Sequence, residues 1–278
     1  MRVVSTQIIP AYVLNLDRRA DRCAHMSAEL EAAAISWTRV SAVDAKAVSD
    51  EELGQEIQLQ DPRIGMGRGS QACAVTNFNI YRRLLASTDR AALIMQDDIA
   101  VDAHLRDFLT DLDWLPDTIG LVQFEKFGKP QSTRLAGPRH DCARAGRGLH
   151  KMYSRTAGAG CYLITRKTAQ LILETKQLLD MPIDHYLFSP NVSPIFRRLG
   201  VGFVAPALAV QKMDEIKSDL SADRKLRKAS KSRGQRLTRL SQELNRLPSQ
   251  ALAMIGGARM VDFSVPPALL ARVSNARD

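Results

Sequence analysis

One stretch constrains the fold of this chain more than any other: Ala92-Leu93-Ile94-Met95-Gln96-Asp97-Asp98-Ile99. A run of apolar residues ends abruptly in two adjacent carboxylates. Apolar runs of that length bounded by polar residues read as a buried strand. Open α/β sheets bind ligands outside the carboxyl ends of their strands. A carboxylate pair placed there faces a cleft, where it holds a divalent cation and, through it, a phosphate. The same two acids also suit the N-cap and first turn of a following helix. The local sequence leaves both readings open.

The flanking chain repeats the pattern. Residues 11–16 (AYVLNL) read as a first buried strand, with Asp17 as cap of the next helix. Arg18, Arg19 and Arg22 fall early in that helix, where they oppose its dipole. An anionic ligand, or pairing with Asp17 and Asp21, would offset that cost. Residues 37–40 read as a second strand, which leaves Asp44 beyond its carboxyl end. An acid there is placed to accept hydrogen bonds from a ribose or base, although a lone acid also serves as a loop or cap residue. Ser49-Asp50-Glu51-Glu52 forms a capping box. Residues 61–69 (DPRIGMGRG) are Gly-rich but lack both the preceding strand of a dinucleotide fingerprint and the Lys-Ser/Thr of a P-loop. Residues 70–86 predict a helix, with Ala74, Phe78, Tyr81, Leu84 and Leu85 on one face.

Further strands are predicted at 119–124, ending at Glu125, at 157–165 and at 201–205. Gly158 and Gly160 permit close approach by a ligand or a neighbouring strand. Asp184, in Pro182-Ile183-Asp184-His185, reads either as a helix-start acid or as a buried functional one. Residues 128–155 show little periodicity and are expected to form a mobile loop over the site. Strands alternating with helices imply a mostly parallel central sheet covered on both faces. The pattern contains no GxSxG and no HExxH, and the histidines are scattered.

Charge separates the chain into two parts. The net charge is +9, yet residues 212–246 alone carry eleven Lys/Arg against five Asp/Glu. Leucines at 220, 226, 237, 240, 244 and 247 stud this basic background, as in amphipathic helices that bind an anionic membrane surface or pack on a domain with their charges solvated. Aromatic interleaving is missing there, so no nucleic-acid partner is expected. The expected division is a catalytic domain at 8–211 and a basic amphipathic helical segment at 212–278. Four cysteines without CxxC spacing, and no stretch long enough to span a bilayer, point to a reducing cytoplasmic setting.

Several ordered blocks resemble glycosyltransferase family 25, which includes lipooligosaccharide and collagen galactosyltransferases. They are Tyr12-Val13-Leu14-Asn15-Leu16-Asp17-Arg18-Arg19, Arg39-Val40-Ser41-Ala42-Val43-Asp44-Ala45 and the Ala92–Ile99 stretch. Gly158–Thr165, Pro182–His185, Gln211 and Ser218-Asp219-Leu220 resemble its later blocks. The resemblance implies a GT-A-like fold and an inverting transfer of galactose or another hexose from a UDP-sugar to a glycan or glycolipid acceptor. It implies a protein working in the cytoplasm, peripheral on the inner membrane. It places Tyr12, Asn15, Asp17, Arg19 and Asp44 around the uridine, with Asp97 supporting the turn beside the donor. It makes Asp98 the ligand of Mn²⁺ or Mg²⁺ and Asp184 the catalytic base. Two positions depart from the family pattern. Gln96 stands where the family has Glu, which weakens cation binding, and Asn77 stands where it has His. Those departures motivate an alternative, a weak or inactive relative that binds a nucleotide-sugar or glycan.

Overall fold

The computed structural model describes residues 7–57, 66–142, 144, 146–211 and 247–274. The basic stretch 212–246 and most of the Gly-rich loop lie outside the described residues.

The first half follows the sequence pattern closely. Strand β1 (Ala11–Asn15) leads to helix α1 (Ala20–Ala32), edge strand β2 (Thr38–Ser41), and helices α2 (Asp50–Glu56) and α3 (Arg68–Ala86). Strand β3 (Ala91–Gln96) then lies beside β1 in parallel, pairing Ala11 with Leu93 and Leu14 with Gln96. Both strands are buried on both faces, as their unbroken apolar runs require. Tyr12, Leu14, Ala92 and Ile94 face one core with α3, whereas Ala11, Val13, Leu93 and Met95 face the other with α1. That is the period-2 alternation of a strand. The predicted face of α3 is the observed one: Ala74, Phe78, Tyr81 and Leu84 are buried, each large side chain contributing about 1.5–3 kcal/mol. The capping box at Ser49 also forms, with Ser49 Oγ accepting from Glu52 N–H.

After β3 come β4 (Ile99–Val101), a 3-10 helix (Ala103–Leu109), β5 (Leu121–Gln123) and β6 (Glu125–Lys126). Strands β7 (Gln131–Asp141), β8 (Gly148–Met152) and β9 (Cys161–Thr165) precede α4 (Arg166–Glu174). Helices α5 (Ile183–Phe188) and α6 (Phe196–Leu199) precede β10 (Val201–Ala205) and β11 (Ala209–Gln211). Helix α7 (Leu247–Ile255), β12 (Arg259–Ser264) and α8 (Pro267–Ser274) complete the described chain.

Nine strands form one mixed sheet in the order β12-β7-β8-β10-β5-β9-β3-β1-β2. In the portion from β2 to β10 every strand runs the same way except β9, which is antiparallel to both neighbours. Helices cover both faces of this α/β domain. A smaller sheet, β4-β11-β6, stands at the carboxyl end of β3.

Two expectations need correction. Residues 128–155 are not an irregular loop over the site. They hold the β7–β8 hairpin, which extends the main sheet by antiparallel pairing. Its alternation is hidden in the sequence because Gly137-Pro138 sits at a register shift between Ala136 and Arg139, as at a β-bulge. The described part of 212–278 is not an appendage either. β12 pairs with β7 over six residues, and Val265 after β12 and Leu269 of α8 are buried against Ala100 of β4 and Val210 of β11. The basic stretch therefore interrupts the domain. All four cysteines are free. No helix among the described residues is long and apolar enough to cross a membrane.

Candidate functional site

Asp97 and Asp98 form the tight turn between β3 and β4. No helix starts there, so the helix-cap reading of the pair falls away. They sit at the floor of a cavity of about 330 Å³, a size usual for ligand pockets. Its wall is built at the carboxyl ends of strands: Leu14 near the end of β1 and Leu16 just beyond it, 42–46 after β2, Gln96 at the end of β3 and Gln211 at the end of β11 of the small sheet. Helix α3 supplies Arg68, Ala72, Cys73 and Thr76, and α1 supplies Arg22.

The two adjacent acids have different environments. Asp97 is clamped from below. Asn15 Nδ2 donates to its Oδ2 at 2.8 Å, and Arg22 Nη1 donates to its Oδ1 at 2.9 Å. Asn15 also donates to the Arg19 carbonyl at 2.9 Å and accepts from Arg39 Nε at 2.8 Å. Both Asp97 oxygens are thus engaged by protein donors. Asp98 accepts from Gln211 Nε2 at 2.8 Å through Oδ2. The oxygen of that carboxamide, Gln211 Oε1, is buried with no hydrogen-bond partner among the described residues.

The remaining predicted residues divide into two groups. Asp44 lines the cavity, 3.1 Å from Arg18 Nε, and caps its own turn by accepting from Lys46 N–H at 2.9 Å. Asp17 does not cap α1. It accepts from Arg39 Nη2 at 2.5 Å and Ser41 Oγ at 2.8 Å, which tie β1 to β2. Those hydrogen bonds, Arg39's first, hold its carboxyl below the usual range. Arg19 pairs with Asp21 at 2.7 Å, away from the cavity wall. Tyr12 lies in the core with its ring 5.2 Å from the Arg83 guanidinium, and it does not line the cavity. Asn15 acts from beneath, through Asp97.

Asp184 is half-buried near the start of α5. Its charge reaches Cys73 on the cavity wall. Burial first, then the carboxylates of Asp184, Asp98 and Asp97, push the Cys73 thiol up to about 12. Cys73 is therefore no nucleophile near neutral pH; it marks the place where three carboxylate fields overlap. Gln96 Nε2 lies 3.9 Å from its sulfur.

Glu125 and Asn77 both lie in the interior, off the cavity wall. Glu125 is fully buried and accepts from Gly160 N–H at 2.5 Å. Gly158, at φ +91°, would set a Cβ 2.6 Å from Glu125 Oε2. The close approach allowed by these glycines is to Glu125, not to a ligand. Asn77 Oδ1 accepts from Tyr162 O–H at 2.5 Å, and the Tyr162 oxygen lies 2.7 Å from that of Tyr81. Asn77 belongs to a buried hydrogen-bonded chain rather than to the cavity wall.

Sequence reasoning gave Arg22 only as a helix-start base, while Lys46, Cys73 and Thr76 went unmarked as wall residues. The one available signal was the trio Arg18, Arg19 and Arg22 opposing the α1 dipole. Each has an acidic partner, in Asp44, Asp21 and Asp97. Among the charged residues lining the cavity, Arg18, Arg22, Lys46 and Arg68 exceed Asp44, Asp97 and Asp98 by one. A diphosphate brings more negative charge than that surplus offsets.

Among the described residues no cluster of three or more His, Cys, Asp or Glu side chains is suited to a metal ion. A cation here would have one carboxylate, Asp98, with the neutral oxygens of Gln96 and Gln211 beside it. That set suits Mg²⁺ or Mn²⁺ only when phosphate oxygens and water complete it.

The model of glycosyltransferase family 25 (LPS biosynthesis protein) matches residues 8–187. Among solved structures, a glycosyltransferase involved in the glycosylation of the major capsid of PBCV-1 aligns with a TM-score of 0.39 at 8% identity. That alignment covers 80% of this chain and 98% of the other.

Proposed function

Because the chain belongs to glycosyltransferase family 25, we propose that its glycosyl transfer is a metal-assisted, inverting reaction of a UDP-sugar, with galactose or another hexose moving to a lipid-linked or cell-surface glycan. The observation that carries this reading is the convergence of Asp44, Asp98, Arg18 and Arg68 on one cavity at the carboxyl ends of β1, β2 and β3. In a GT-A-like arrangement this crevice takes the nucleotide. Asp44 is placed to accept from the uridine ribose or base. Asp97, held by Arg22 and Asn15, fixes the turn that presents Asp98.

A bound divalent cation supplies charge neutralisation of the leaving diphosphate. Asp98 would hold it, with the Gln96 and Gln211 carboxamides beside it. Asp184 is the proposed base. It takes the proton of an acceptor hydroxyl while that oxygen attacks the anomeric carbon, and the bond to the UDP oxygen breaks on the opposite face. The anomeric centre therefore inverts. The acceptor, as a glycolipid, brings the protein to the inner membrane surface from the cytoplasm, where the basic stretch 212–246 favours anionic lipid.

The direct test is UDP release from a panel of UDP-sugars with Mn²⁺. Slow donor hydrolysis that Asp98→Ala abolishes is the expected result. Nucleotide binding without turnover on any donor or acceptor would favour the second reading, a binding-only relative. That reading is motivated by Gln96 in place of a carboxylate.

A further inference from the structure

We propose that α7 and the start of β12 form an apolar foot by which the protein docks on an anionic phospholipid surface. The inference deepens, and rests on, the reading that the acceptor is presented at a membrane.

Large apolar side chains left exposed are few. Leu252, Met254, Ile255 and Met260 are 69%, 53%, 84% and 61% exposed, and outside this short stretch only Ile8 and Leu178 join them among the described residues. Single exposed apolar residues need no explanation, but here four of them fall within residues 252–260. These four side chains have no place in the cores. The neighbouring Ala258, Phe263 and Val265 are buried, so the same segment is apolar inward for the fold and apolar outward for something else.

The mount is firm. Gly257, at φ +94°, turns the chain out of α7, and β12 then pairs with β7 from Arg259 to Ser264. Helix α8 follows and packs on β4 and β11. β4 begins directly after Asp98, and β11 ends at Gln211, which donates to Asp98. The foot is therefore linked by paired strands and a packed helix to the small sheet that holds the cavity floor.

Charge selects the occupant. The residues leading into α7, 212–246, carry eleven Lys/Arg against five Asp/Glu. Arg259, beside Met260, is exposed and extends that charge to the patch itself. Basic charge next to exposed Leu, Met and Ile is the pattern of a segment lying in a membrane interface, where apolar side chains enter the acyl boundary and cations stay at the headgroups.

The test is co-sedimentation of the full chain with phosphatidylcholine vesicles, with and without phosphatidylglycerol. Wild type should bind the anionic vesicles and not the neutral ones. The double variant Leu252→Asp/Ile255→Asp should lose about tenfold or more in partitioning, while Leu178→Asp binds as wild type. Trp at position 254 (Met254→Trp) should shift its emission to the blue on anionic vesicles. Equal binding by the double variant, no binding by wild type, or an unshifted Trp emission would each overturn the proposal. So would a wild-type dimer in solution that the double variant converts to monomer, because the patch would then meet a second copy. UDP release measured without vesicles in the same variants tests the transferase reading separately.

Discussion

Arg22 Nη1 lies 2.9 Å from Asp97 Oδ1 in a buried ion pair at the cavity wall, one residue from Asp98. Removing one partner of such a pair leaves an uncompensated buried charge and costs about 3–5 kcal/mol. Asp97→Ala should therefore destabilise the fold by that amount in urea titration. Asp98→Ala should cost less, about 1–2 kcal/mol, by loss of the acceptor for Gln211, and yet abolish donor turnover. Similar stability losses at the two positions would contradict this division of labour.

Gln96→Glu restores a carboxylate beside Asp98. Charge on a ligand set raises affinity for a hard cation. Mn²⁺ binding, followed by titration calorimetry in the presence of UDP, should strengthen about tenfold. An unchanged or weaker affinity would mean that the position 96 side chain does not reach the cation.

Asp184→Asn keeps the shape of the side chain and removes the base. General-base catalysis typically contributes 10²–10⁴-fold, so kcat should fall by roughly that factor with KM for the donor nearly unchanged. A loss confined to KM would assign Asp184 to binding instead.

Glu56 joins α2 to α3 and to the segment after α4, accepting from Arg82 Nη2 and Lys176 Nζ, both at 2.6 Å. Burial raises its pKa, but the two cationic donors outweigh that, and the net shift is downward from 4.5. Because the folded value is the lower one, the stabilisation is present above the unfolded value and is lost as pH falls through the folded one. Glu56→Gln should cost roughly 1 kcal/mol at pH 7, and the two proteins should converge in acid melts below the carboxylate range. A gap that persists there would point to packing rather than charge.

Asn77→Leu breaks the chain from Tyr81 through Tyr162. A buried hydroxyl losing its acceptor costs about 1–3 kcal/mol. Thermal melts should show that loss, while UDP release by the folded fraction stays at the wild-type level because Asn77 is not on the cavity wall. A selective loss of turnover would instead place Asn77 in the site.

Much of this architecture was legible from local pattern. The β1, β3 and α3 spans emerged because their apolar residues repeat at the period of the element, and the acids after β1, β2 and β3 marked a common edge. What stayed hidden depends on contacts across the chain. The hydrogen bonds of Asp97 come from residues 15 and 22, and those of Asp98 from residue 211. No spacing rule connects such positions. The β7–β8 hairpin was missed because its strands pair at the sheet's periphery, where polar residues alternate weakly and Gly137-Pro138 imitates a loop. Tyr12 is the converse case: a motif residue that is buried in the core and not on the cavity wall. The period-2 alternation of β1 already placed it on the same side as Leu14, facing α3, so that reading was within reach of the sequence.

The position of β12 changes what the basic stretch is. A segment held at Gln211 on one side and by α7 and β12 on the other is a tethered excursion, not a free end. Its eleven Lys/Arg are therefore joined at both ends to strands and helices of the same domain. Cutting the chain after residue 211 would strip an edge strand and the α8 packing along with the lysines and arginines. Only an internal deletion that rejoins 211 to 247 through a neutral linker separates the loss of charge from the loss of fold.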